Sequence, residues 1–155
     1  MAVVSNSSPL IAFAAIGQLS LLPAIFQSIL IPPAVAREIT PSIPALPPWL
    51  HVENLKQPPH GLVLQRSLGA GEREALALAI ETRAERILLD DLPARGIARR
   101  LNLSVIGTAG VLLIAKRHAL IHRVRPHLDA LLKETFFVGP ELYDDLLRLA
   151  GEDDA

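Results

Sequence analysis

Short apolar runs alternate with helical stretches along this chain, and that alternation limits the possible folds more than any other feature. "VVS", "SILIP", "RILL" and "LSVI" are each too brief for a helix. Runs of this kind, apolar at every position and bounded by turn residues, suit strands covered on both faces. Between them stand stretches with helical spacing, such as "GAGEREALALAIETR" and "GTAGVLLIAKRH". Strands regularly separated by helices predict an α/β fold built on a parallel sheet with helices on both faces.

Local signals place the elements. Ala2 to Ser5 is the first strand, and a helix is expected from Ser8, which can cap the first turn, with Pro9 at the first helical position and Gly17 ending it. "LSLLPAIF" reads as a second short helix and "SILIP" as a strand stopped by its prolines. In "PPAVAREI", Ala34, Val35 and Glu38 share one helical face, so a carboxylate tops an apolar stripe. Prolines 41, 44, 47 and 48 make a rigid loop before "WLHVENL", an edge strand or extended segment. Gln57 to Leu68 carries no clear pattern. The helix of "GAGEREALALAIETR" is apolar all round from Ala75 to Ile80, as expected of one sandwiched between layers. "DDLPARGIARRL" gives a turn and a basic helix. A helix from Arg123 to about Lys133, the apolar "FFV", the amphipathic "PELYDDLLRLAG" and a frayed acidic "GEDDA" complete the reading.

At 155 residues and 16.8 kDa the chain fits a single domain, 1–155, with the helices from about 123 packing on the same core. Half the residues are apolar but only 4% are aromatic, so Leu, Ile, Val and Ala must fill the core. The apolar stretch Leu10 to Val35 has no basic leader and is broken by Gln18, Ser20, Pro23, Gln27, Ser28, Pro32 and Pro33, so it reads as core rather than as a membrane span. A cytoplasmic protein is expected. The absence of cysteine excludes disulfides, thiolate zinc sites and a Cys nucleophile. With a net charge of -1, nucleic-acid binding would require a local basic patch.

In open α/β sheets ligands bind beyond the carboxyl ends of the strands. Asn6 follows "VVS", and Asp90 and Asp91 follow "ILL", at that position; Glu38 and Glu72 lie on helices that are otherwise apolar. Four segments therefore offer polar groups that can converge. Two carboxylates ~5 Å apart repel by roughly 3 kcal/mol at an effective dielectric of ~20, so convergence calls for a cation. Mg2+ or Mn2+ takes carboxylate oxygens, keeps several waters and stabilises charge on a phosphate, which points to phosphodiester hydrolysis.

Five motifs in order, "VVSNSSPLIAFAAIGQLSLLPAIF", "ILIPPAVAREI", "GAGEREALALAIE", "RILLDDLPARGIARRL" and "VIGTAGVLLIAKRH", resemble the PIN-domain nucleases, in particular a PIN-like branch found in bacteria and archaea. The resemblance covers about residues 2 to 118. It implies a three-layer fold with a central parallel sheet of about four to five strands, and a ring of catalytic and metal-binding groups: Asn6, Glu38, Glu72 and Asp91, with Asp90 adjacent. Thr108 matches the polar position that completes the pocket, and Glu74 is a supporting acid. Where most active relatives carry aspartate this chain carries Asn6, an amide that can ligate a cation but brings no charge and cannot act as a base. The resemblance thus implies a Mg2+- or Mn2+-dependent ribonuclease, of the kind that serves as toxin in toxin–antitoxin pairs. The alternative is a catalytically weakened or inactive nucleic-acid-binding module. RNA, a cognate antitoxin and a second copy in a homodimer are the implied partners, with no membrane.

The window from Arg86 to His127 supplies the local basic patch, and Arg95, Arg99, Arg100, Lys116 and Arg117 are its candidate contacts to phosphate. "GAGERE" follows no clear strand and lacks the third glycine of a dinucleotide fingerprint. His118 and His122 have the spacing of a zinc pair but not its glutamate, and read as solvent-facing. Glu141, Asp144 and Asp145 form the polar side of the last helix and are assigned no chemistry.

Overall fold

The computed structural model describes residues 2–134 and 136–152. Five strands, β1 (Val3–Ser5), β2 (Ile29–Ile31), β3 (Leu50–Val52), β4 (Arg86–Leu88) and β5 (Val105–Ile106), form one sheet in the order β3-β2-β1-β4-β5. Every pairing is parallel, with Val4 opposite both Leu30 and Ile87. The three residues of β1 are buried, as the unbroken apolar run requires of a central strand covered on both faces. "WLHVENL" contributes an edge strand, with Leu50 buried and His51 and Val52 exposed.

The connections are helical: α1 (Ser7–Ala15) and α2 (Leu21–Phe26) lead to β2, α3 (Pro33–Ile39) to β3, α4 (Ala70–Glu81) to β4 and α5 (Leu92–Arg100) to β5. Then follow α6 (Thr108–Arg117), α7 (Arg125–Lys133) and α8 (Pro140–Leu149). The patternless segment holds a 3₁₀ turn at Gly61–Leu64. Gly17, at φ 69°, turns the chain just after α1, as its freedom at positive φ allows. That helix starts earlier than its sequence signals indicate. Ser7, not Pro9, is its first residue, Asn6 is the N-cap, and Pro9 stands inside the first turn, where its missing N–H still costs nothing.

Helix α4 is the central cross-brace, packing on α3, β1 and β4. Ala75 to Ala79 are buried all round it, whereas Ile80 is 47% exposed, so the sandwiched stretch is one residue shorter than the apolar run. Val124, Leu128 and Leu131 near and on α7, and Leu146 and Leu147 on α8, belong to the same hydrophobic cluster as the sheet. Among the described residues no helix is long and apolar enough to cross a membrane.

The expected fraying of "GEDDA" does not hold at Glu152, whose side chain is only 4% exposed; Asp153 to Ala155 lie outside the described residues. Its carboxylate accepts from the Lys116 amine at 2.8 Å and from the Val124 and Arg125 amides at 2.7 and 3.1 Å. An acid run on the sequence suggested solvation, but donors from α6 and the start of α7 gather around this one carboxylate and bury it.

Candidate functional site

The strand order fixes where a site can form. From β1 the chain runs outward through β2 and β3, then α4 carries it back across to β4 and β5 on the other side. The segments leaving β1 and β4 therefore diverge, and a crevice opens at the carboxyl ends of those two neighbouring strands. Asn6 leaves one of them and Asp90 and Asp91 leave the other, while the backbone N–H of Asn6 donates to Leu88 O at 3.0 Å and ties the two ends together.

Asn6 is 2% exposed. It holds the N-cap position of α1, yet its side chain makes no capping bond, and Oδ1 is buried without a hydrogen-bond partner. An asparagine there ordinarily accepts from the second or third amide of its helix, and a buried oxygen left unpaired costs about 1–3 kcal/mol. The turn-forming role of an asparagine therefore does not account for this one.

Next to it, the Ser7 hydroxyl donates to Glu38 Oε1 and so links α1 to α3. The same carboxylate lies against the first turn of α4, where a Cβ on Gly71 would overlap Glu38 Oε1. Only a glycine admits it there. Glu74 is employed differently, its Oε1 accepting from the Ala34 amide at 2.9 Å. It thereby caps α3, whose own N-cap residue, Pro32, has no polar side chain to do so, and it supports the helix that carries Glu38.

Glu72, Asp90 and Asp91 border one cleft of about 770 Å³, lined also by Ser8, Ile11 and Phe137. Asp91 caps α5 through Oδ2, which accepts from the Ala94 amide at 3.0 Å. Asp90 receives the Thr108 amide on Oδ1 and the Thr108 hydroxyl on Oδ2, both at 2.7 Å. Thr108, fully buried, is thus the clamp that joins the segment after β5 to the segment after β4.

The basic candidates separate into two groups. Arg95 and Arg99 border a second cavity that shares Asp90, Phe136 and Phe137 with the acidic cleft, and Arg100 follows them, exposed, on α5. Lys116 is committed to Ala150 O and Glu152. Arg117 lines a pocket with Val3, Glu85 and Arg86, at the strand starts and so at the opposite end of the sheet. His118 and His122 share no helical face, because α6 ends at Arg117 and Ala119 turns to φ 59°.

The donors suit a hard cation. All are oxygens, one is a buried amide oxygen without a partner, and two carboxylates besides Asp90 border the cleft. Among the described residues no three His, Asp or Glu side chains cluster closely enough to hold an ion by themselves. Oxygen donors of this kind are the ones hard divalent cations take, alongside waters. Ser7, Gly71 and Phe137 escaped the sequence reading; the glycine at the head of an acidic helix was the one visible signal.

No curated protein and no solved structure matches the chain. A family model described as PIN domain matches residues 2–152. Members of that family are typically nucleases and generally metal-dependent. With its five-stranded parallel sheet, its helical connections and this match along nearly its whole length, the chain belongs to the PIN-domain family.

Proposed function

We propose that the protein is a Mg2+- or Mn2+-dependent ribonuclease that hydrolyses phosphodiester bonds at the crevice between β1 and β4. The observation that carries this reading is the Asn6 side chain: buried, at a cap position it does not use, with its oxygen unpaired, on the residue that leaves β1. When bound, the cation would lower the pKa of a water and neutralise charge on the phosphate under attack. Asn6, Glu38, Glu72 and Asp91 would hold it, with Asn6 as a neutral ligand. Ser7 fixes the Glu38 carboxylate, and the bond from Ala94 leaves the second oxygen of Asp91 for the ion or its water. Asp90, occupied on both oxygens by Thr108, keeps the loop in place. Arg95 and Arg99 would grip the phosphate backbone.

A second reading, a nucleic-acid-binding module with weakened catalysis, is favoured by one specific feature: Asn6 contributes no charge, and among the described residues the acids do not form a cluster of three. Purified protein with single-stranded RNA separates the two. The nuclease reading expects cleavage in Mn2+ that EDTA and Asp91→Asn both abolish. Cleavage indifferent to EDTA would overturn it, while RNA bound without turnover, and turnover gained on Asn6→Asp, would establish the module. In either case a cognate antitoxin and a homodimeric assembly fit the family reading and are part of the proposal.

A further inference from the structure

Phe137 is 84% exposed, and it is the one exposed aromatic side chain among the described residues. Beside it Leu92 is 78% and Leu142 53% exposed. Single apolar residues at a surface are ordinary, but grouped ones mark a binding site. All three border one cavity of about 580 Å³, together with Arg95 and Arg99. That volume is within the ~300–1,000 Å³ of pockets that take small organic groups. The cavity adjoins the acidic cleft, since Asp90, Phe136 and Phe137 line both.

We infer that Phe137, with Leu92 and Leu142 around it, is a stacking platform for an unpaired base of the RNA, and that Arg95 and Arg99 hold the phosphate attached to that base. The inference rests on the ribonuclease reading and adds to it a subsite for one base beside the acidic cleft. The charges decide the occupant. Arg99 makes no side-chain bond within the described residues, and Arg95 spends Nη1 on Leu89 O at 3.2 Å while keeping the rest of its guanidinium fork. An apolar face flanked by available cations matches a nucleotide, which offers a π face and an anion a few bonds apart; aromatic side chains in basic grooves bind single strands in this way. A duplex keeps its base faces stacked inside and has none to present. A protein helix would satisfy Leu92 and Leu142, but it would need carboxylates placed opposite both arginines, whereas every nucleotide carries its anion at a fixed short distance from its π face.

The test uses the full chain carrying Asp91→Asn, which keeps a side-chain oxygen to cap α5 and leaves the RNA intact during titration. Anisotropy with a labelled single-stranded oligoribonucleotide should show roughly tenfold or weaker binding on adding Phe137→Ala, given ~1–3 kcal/mol per stacked base. Phe137→Trp should restore the affinity, with indole emission quenched by the RNA. Arg99→Gln should lower the slope of log affinity against log salt by ~0.7. A duplex of the same sequence should bind equally well with and without the Phe137→Ala change. Single-strand affinity untouched by that change, in a preparation whose unmutated form cleaves RNA in Mn2+, would overturn the platform and leave the nuclease standing. Absence of both binding and cleavage would overturn both. A change from dimer to monomer on Phe137→Ala, with RNA affinity unchanged, would assign the patch to a second copy and overturn the inference.

Discussion

Asn6 and Gly71 explain each other's surroundings. At the cap of α1 an asparagine with an unpaired oxygen is an energetic loss, and the adjacent Ser7 spends its hydroxyl on Glu38 of α3 instead of on its own helix. Glu38 can lie there only because Gly71 has no side chain, since a Cβ would overlap the nearest carboxylate oxygen. Gly71→Ala therefore separates structure from function. Alanine in a helix is favoured over glycine by roughly 0.5–1 kcal/mol, and the group it meets is the end of a flexible side chain that can swing away. The fold should hold or gain slightly in thermal stability. Cleavage of RNA should fall, because a catalytic group moved by ~1 Å can lose ~100-fold in rate. Unaltered cleavage by a well-folded Gly71→Ala protein would mean that the position of Glu38 does not matter to the chemistry.

The elements were legible in the sequence because what specifies them is local. Apolar runs, the proline pair after "SILI" and the helical spacing in "ALALAI" each act over a few residues, and the structure has strands and helices where they indicate. Strand ends also drew notice to Asn6, Asp90 and Asp91, which follow the neighbouring strands β1 and β4, since the carboxyl edge of a parallel sheet gathers whatever follows each strand. What could not be read were bonds between elements: Ser7 to Glu38 spans 31 positions, Ala34 to Glu74 spans 40 and Thr108 to Asp90 spans 18, with no pattern to announce them. The last of these joins the β4 and β5 loops and can be weighed directly. Thr108→Val keeps shape and backbone donor but removes the hydroxyl, leaving Asp90 Oδ2 without its bond beside a fully buried side chain. A hydrogen bond to a charged group is worth ~1.5–3 kcal/mol, so urea unfolding should report a loss of about 2 kcal/mol. Unchanged stability would mean that the Thr108 amide alone secures the loop.

At the scale of the whole molecule, the last described residue does what no single element can. Glu152 receives Lys116 from the end of α6 and the Val124 and Arg125 amides at the start of α7, while Arg125 also donates to its backbone oxygen at 3.2 Å. The chain beyond α8 is thereby stapled to the layer that packs on the sheet, at the end away from the acidic crevice, where Lys116 and Arg117 also lie. Burial alone would raise the carboxyl pKa, but the Lys116 hydrogen bond, the two amides and the ammonium charge outweigh it and hold the group at about 2, against an ordinary 4.5. Because the folded value is the lower one, the resulting stability is complete above about pH 4.5 and is lost as pH falls toward 2. The shift corresponds to about 3 kcal/mol at most. Glu152→Gln should therefore lower stability at neutral pH by a similar amount, and the deficit relative to the parent should shrink as both are titrated from pH 4.5 downward, since protonation makes the parent's Glu152 as neutral as the amide. Chemical denaturation at a series of pH values reads this difference free of the other carboxylates, which titrate alike in both proteins. A deficit that stays constant across that range would show that Glu152 acts through packing and not through its charge.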